Sequence, residues 1–469
     1  MPETTETPAA ATPLTRRLAE FAARGEYAAL PATVRERARM SLLDGLAIML
    51  GAAGFARHTG DRRLETYMQL AGMPGPSTAI GYGRRCAPLL AAFVNGTSSE
   101  VLDFSDCILT ARNHPGATIL PAALALVETR RVSGQQFVAA MMLAYEVHTR
   151  ICHAIQPSHW WKGFQATGTI GTSGAAVAAA RLLGLDASGI ADALGASGFI
   201  MPVSNGDNVF RGHSIKPVHG GQGAAAGLSA ALLAAAGFSA GPLEGEPPRY
   251  HAALRLLSDA VDLERPLASL GTEWRCLELA YKPYPIGLLN IGPVELCIEL
   301  VARDAVSADE IERVEVVTYK EAAHFVGKYT TPESSYIDCY LSLPYCIAVA
   351  LYDGRIGIAQ LEEERVRDHQ VHELGRRVTI AEDPAMSALY PHDWPVSITL
   401  RLRGGRSIER RIDQVKWSPR RPPSWDELVQ KFRLLAEPVI GAARSKRTVE
   451  FVASLEHAED MAPLLELVR

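Results

Sequence analysis

The sequence predicts a mainly α protein: a large all-helical domain formed by both ends of the chain, with a smaller α+β domain inserted into it. Two changes of texture predict this. From Leu14 to about Leu263 apolar residues recur at helical spacing, whereas between about 275 and 415 they alternate as in strands. Helical spacing then returns over 424–435 and 448–468. The expected boundaries are a disordered leader over 1–13, a helical domain over 14–270 and 413–469, and an α+β insertion over 271–412.

Each element has its own signal. Met1 to Pro13 is rich in Pro, Thr, Glu and Ala and has neither a basic stretch nor an apolar one, which suits a disordered leader and not a signal peptide. Val34, Ala38, Leu42, Leu46 and Leu50 fall at steps of four on one face, behind Pro31 at the start of the helix. Segments 117–128, 135–150, 168–184, 188–200 and 219–237 are Ala/Leu-rich and interrupted by Gly or Pro. The longest uncharged stretch, Gln222 to Gly241, is mostly Ala and Gly. A membrane span would carry larger apolar side chains, so a buried, closely packed helix is expected. Val314, Val316 and Thr318 alternate with Glu315 and Val317, and Val396, Ile398, Leu400 and Leu402 with polar neighbours. Gly404-Gly405 then turns into a strand from Ser407 to Ile412.

Composition narrows the function classes. The 469 residues carry 47 basic and 52 acidic side chains, a formal charge of -5, with no run of like charge, so neither nucleic acid nor a membrane is expected as partner. A small anion fits as ligand. The 7 cysteines are odd in number, scattered and without CxxC spacing, which argues against a disulfide framework and a zinc knuckle and for a reducing cytoplasm. No GxxxxGK[ST] loop, HExxH or strand-linked GxGxxG is present, and no residue cluster has metal-ligand spacing.

What remains is polar residues in Gly-rich, apolar surroundings. LDFSDCILTARNHPGA holds Asp103, Asp106, Cys107 and His114; an Asp and a His about ten residues apart across a loop suit an acid/base pair. HWWKGFQATGTIG offers Gln165 and Thr167 as uncharged hydrogen-bonding groups. HSIKPVHGG and AYKPYPIG carry His213, Lys216, Lys282 and Tyr284, each Lys fixed before a Pro in the extended backbone that suits a point charge aimed at a carboxylate. Tyr345 lies within YLSLPYCIAVALYDG. Each motif alone also fits loop capping, helix packing or a core side chain.

The order of the motifs is more specific. SLLDGLAIMLGA, LDFSD, NHPGATILPAALAL, GFQATGTIGTSGAAVAAARLLGLD, ADALGASG, KPVHGGQGAAAGLSAALLAAAGFSAGPLEG, YKPYP, LPYCIAVALYDG and SWDELVQKF resemble the MmgE/PrpD family over nearly the whole chain. The resemblance implies a homodimer, a pocket between a helical and an α+β domain, and no metal or organic cofactor. It also implies Asp103, His114, Lys216, Lys282 and Tyr345 as catalytic residues; Cys107, Gln165, Thr167 and His213 are expected beside them as substrate-binding ones. Cys107 stands where decarboxylase-like members carry Thr, Gln165 where many have His, and no histidine follows the KxxP segment.

The family's reactions, as the resemblance implies, begin at an acidic C–H beside a carboxylate. The expected activity is therefore a cofactor-independent lyase on a small di- or tricarboxylic acid, by dehydration or decarboxylation of a citrate- or aconitate-like substrate. In it Lys216 and Lys282 would hold the developing charge, and His114, oriented by Asp103, would act as base or acid. An epimerase or isomerase of a dicarboxylate such as iminodisuccinate is the alternative. A carboxylate-binding helical dimer without activity is the alternative of another class.

Overall fold

The computed structural model describes residues 13–246 and 252–469, so all but Pro13 of the expected leader lies outside the described residues. It is 58% helical, mainly α with a small sheet. Leu42, Leu46 and Leu50 are fully buried along the helix Ala32–Thr59, as their spacing requires. This helix is long and apolar enough to cross a membrane, and 83% of its most apolar window is buried within the fold. Against it packs Trp425–Ala453, whose Ser424 and Glu427 form a reciprocal N-terminal cap. A link between elements almost 400 residues apart in sequence thus closes the helical layer.

The Ala/Gly-rich helix runs from Val218 to Ala235 and packs on Pro88–Val101, Gly171–Leu183 and Ala187–Ile200. It is buried except along one stripe, where Gln222 and Leu232 are exposed. Glycine matters at its crossing with Pro88–Val101. A Cβ at Gly220 would lie 2.6 Å from the carbonyl oxygen of Gly96, so only glycine permits this approach. The crossing brings the last turn of one helix against the first turn of the other.

The sheet has four strands, in the order Val378–Glu382, Ile311–Thr318, Val396–Leu402, Ser407–Ile412, the first pair parallel and the others antiparallel. Val314 faces Leu400 and Val316 faces Ile398, so the alternation read in the sequence is one buried face. Sequence patterning missed the five-residue strand Val378–Glu382 and the hairpin Ser77–Ala79 with Arg84–Cys86, all too short to show a period. The helical texture expected up to Leu263 also fails. Between Ala235 and Ile291 the described chain forms only short turns of helix, such as Ala253–Leu257.

Candidate active site

The loop between Pro88–Val101 and Gly116–Leu124 carries the first cluster. Asp103 has φ 49°, a left-handed conformation that costs a non-glycine residue about 1 kcal/mol and aims backbone and side chain together. Cys107 exchanges backbone hydrogen bonds with Ala280, its N–H donating at 3.0 Å and its carbonyl accepting at 2.8 Å, which fixes Lys282 beside the loop. From beneath, Lys431 pairs with Asp44 at 2.7 Å and donates to the carbonyls of Phe104 at 3.2 Å and Lys282 at 3.1 Å. The helix Trp425–Ala453 therefore ties the two loops together.

Asp103 is where these loops converge. Lys216 donates to its Oδ1 through a short bond, and Lys282 to its Oδ2 at 3.1 Å and its carbonyl at 2.7 Å. Lys216 also lies 3.5 Å from Oε2 of Glu100 and over the ring of Tyr340. Burial favours the neutral form of Asp103, but Lys216 and Lys282 outweigh it and hold its carboxyl well below the usual range. Burial likewise opposes the charge of Lys216, and Asp103 and Glu100 reverse this and raise its pKa. Glu100 is also fully buried, yet His114, Lys216 and His219 keep its carboxyl well below the ordinary range.

Asp103 therefore orients the lysines and not His114, contrary to expectation. The Nδ1–H of His114 is directed at the carbonyl of Asp106 at 2.9 Å and the hydroxyl oxygen of Ser105 at 3.2 Å, while Ser105 donates to Glu100 at 2.5 Å. These acceptors fix the tautomer and leave Nε2 without a partner among the described residues. Burial lowers the pKa of His114 to about 4, so the imidazole is neutral near pH 7. Thr167 acts through His114 too: its hydroxyl oxygen accepts from the His114 backbone N–H at 3.1 Å.

These groups face a cavity of about 680 Å³, mouth included. Asp103, Cys107, His114, Gln165, Lys216 and Lys282 all line it. Burial pushes the Cys107 thiol up, so it is a neutral wall and not a thiolate. Gln165 lines it with a side chain whose Oε1 is buried and unpartnered, and its backbone N–H donates to the carbonyl of Ser204 at 2.7 Å. Three expected residues stand apart, the fully buried Thr167 among them. Tyr345 donates its hydroxyl to the carbonyl of Gln360 at 2.9 Å and packs on His372, outside the lining. His213 is exposed and supplies only its carbonyl, to the N–H of Lys216 at 3.0 Å.

Sequence reasoning missed Glu100, His219, Tyr340 and Arg112. Glu100 follows three small polar residues at a helix end, and His219 donates to its Oε2 at 2.8 Å. Only the motif KPVHGG hinted at His219. The fold also corrects the expectation that no metal-ligand cluster exists: Glu100, Asp103 and His114 offer ligand atoms within 4.8 Å of one another. Lys216 already bonds both carboxylates and Lys282 one of them, so a divalent cation would meet two ammonium groups there.

The comparisons with known proteins follow this geometry. The family model for the MmgE/PrpD N-terminal domain matches residues 16–246, and that for the MmgE/PrpD C-terminal domain matches 284–457. The chain belongs to the MmgE/PrpD family. Both matched spans of this MmgE/PrpD protein contribute to the cavity wall, through Asp103 and His114 on one side and Leu288 and Tyr390 on the other. It is 28% identical to a cis-aconitate decarboxylase of Aspergillus terreus (strain NIH 2624 / FGSC A1156), over 94% of this chain and 92% of the relative. It is 26% identical to the cis-aconitate decarboxylase of Mus musculus, over 92% and 88%, and 23% identical to the 2-methylcitrate dehydratase of Escherichia coli (strain K12), over 84% and 86%.

Proposed function

We propose that this protein is a lyase on a tricarboxylic acid, and specifically a decarboxylase of a cis-aconitate-like unsaturated acid working without metal or organic cofactor. The observation that carries it is the meeting of two buried ammonium groups, Lys216 and Lys282, on Asp103 beside an imidazole with a free Nε2. The relatives named as cis-aconitate decarboxylases support the reaction, at 26 to 28% identity against 23% for the dehydratase. Gln165 supports it too. It cannot give a proton to a departing hydroxide, as a dehydration requires.

In the proposed step the bond to one carboxylate breaks and its electron pair moves into the adjoining C=C system. The original double-bond electrons take a proton at the far carbon, so one proton enters for each carbon dioxide lost. Lys216 and Lys282 hold the charge that develops beside the remaining carboxylates in a cleft with little water. An anionic ligand raises the pKa of the neutral imidazole, so His114 takes up a proton on binding and delivers it from Nε2. A homodimer in a reducing cytoplasm belongs to the same proposal. The exposed Phe199 and Val203 support the first, and seven buried, unpaired thiols the second.

The test is incubation in deuterated water with unsaturated tricarboxylates, citrate-like acids and aspartate-like acids, with and without EDTA. Carbon dioxide release with one deuterium gained by the product, unaffected by EDTA, is expected. Water loss would replace the reaction by a dehydration, and C–H exchange with inversion by an epimerisation. The absence of any exchange or product would leave a binding protein.

A further inference from the structure

Arg112 closes a tight turn between Ile108 and Asn113, in which the Ile108 N–H donates to the Asn113 carbonyl at 3.0 Å. Its φ is 54°, so a non-glycine residue again holds a left-handed conformation, two positions before His114. The side chain is only 9% exposed. Its guanidinium lies 5.6 Å from the ring centres of both Trp160 and Tyr390, and one arm, Nη2, donates to Glu321 at 3.0 Å. The other arm, Nη1, is buried and has no hydrogen-bond partner.

That is a costly arrangement for a cation: an unmade charged hydrogen bond in a buried site is among the more destabilising features a fold retains. Arg112, Trp160 and Tyr390 all line the cavity that holds Lys216, Lys282 and His114. The two basic groups are independently anchored. The lysines are held by Asp103, whereas Arg112 is held by Glu321 and two aromatic rings. A planar guanidinium fixed on three sides with its Nη1 arm free matches a carboxylate oxygen better than a mobile ammonium does.

We propose that Nη1 of Arg112 binds a carboxylate of the substrate that does not react, and that Arg112 thereby selects tricarboxylates over dicarboxylates. The assignment rests on the tricarboxylate reading above. It makes Arg112 a specificity-determining residue, with the reacting end of the ligand left to Lys216, Lys282 and His114.

The experiment is titration calorimetry of the whole chain, wild type and Arg112→Gln, with two saturated acids that cannot be decarboxylated by this route: propane-1,2,3-tricarboxylate and glutarate. The variant is expected to lose about 10- to 100-fold in affinity for the tricarboxylate and less than about threefold for glutarate, the size of one charge-assisted hydrogen bond. Arg112→Lys keeps the charge and the packing stem and covers the case in which Arg112→Gln does not fold; it is expected to fall between the two. Equal weakening of both acids, or no weakening of either, overturns the proposal, as does a wild type that binds neither. A wild type that prefers the tricarboxylate yet converts no acid of the panel sinks the lyase reading alone.

Discussion

Lys216 reaches Asp103 across 113 residues of sequence and pairs with a buried carboxylate. Lys282 takes the other oxygen of the same group. Replacing Asp103 by Asn would leave two buried ammonium groups facing an amide. The expected cost is about 3–5 kcal/mol of stability, with turnover down about a hundredfold. Adding Lys216→Met should restore part of the stability and none of the turnover. A double-mutant cycle in urea measures the coupling, and strict additivity would disprove it.

His114→Gln removes the one ring nitrogen left open by the tautomer that Asp106 and Ser105 fix. Turnover should fall by about two orders of magnitude or more, with tricarboxylate binding retained. In the wild type the imidazole should titrate near 4 when empty and higher with propane-1,2,3-tricarboxylate bound, as followed by NMR. An unchanged midpoint would remove proton uptake from the mechanism.

Gln165→His puts a titrating ring where the protein has an amide with a free, buried oxygen. The native reaction should weaken, and slow water loss from a 2-methylcitrate-like acid should appear between about pH 6 and 8, where a histidine changes charge. Identical substrate profiles and pH dependence in the two proteins would place Gln165 outside the chemistry.

Tyr345→Phe should leave turnover within about threefold and cost about 1 kcal/mol of stability, the worth of the hydrogen bond to Gln360. Tyr340→Leu, which strips the ring from beneath Lys216, should lower turnover roughly tenfold or more. The reverse ranking in steady-state assays would return Tyr345 to the reacting groups.

Acid should destabilise the fold well before carboxylates of ordinary pKa titrate. Burial lowers His114, His148, His153 and His159 to about 4 each, below the ordinary histidine value. Groups depressed in this way stabilise fully above about pH 6.5 and lose that contribution as pH falls toward 4. Asp106 works against them. Burial, with Asp44 nearby, raises it to about 7, so its contribution is lost as pH rises between about 4 and 7. Four depressed groups outweigh one raised group, and the urea midpoint should fall steadily from pH 7 to pH 5. A flat or rising midpoint would contradict the burial of these histidines.

The sequence by itself determined the mainly helical texture, the inner faces of two strands and the residues Asp103, His114, Lys216 and Lys282. It could do so because periodicity over many residues reports which face is buried, and because the order of the motifs, more than any one of them, marks those residues. Tyr345, His213 and Thr167 lie outside the cavity lining, because a polar residue has no sign in sequence for which way it points. Only tertiary structure decided that Asp103 serves two lysines and not His114, that Glu100 and His219 meet across a glycine-only crossing, and that one arm of Arg112 is left without a partner. Those relationships rest on left-handed backbone at Asp103 and Arg112 and on pairings up to 209 residues apart. Local propensity does not encode them; packing of the helices imposes them.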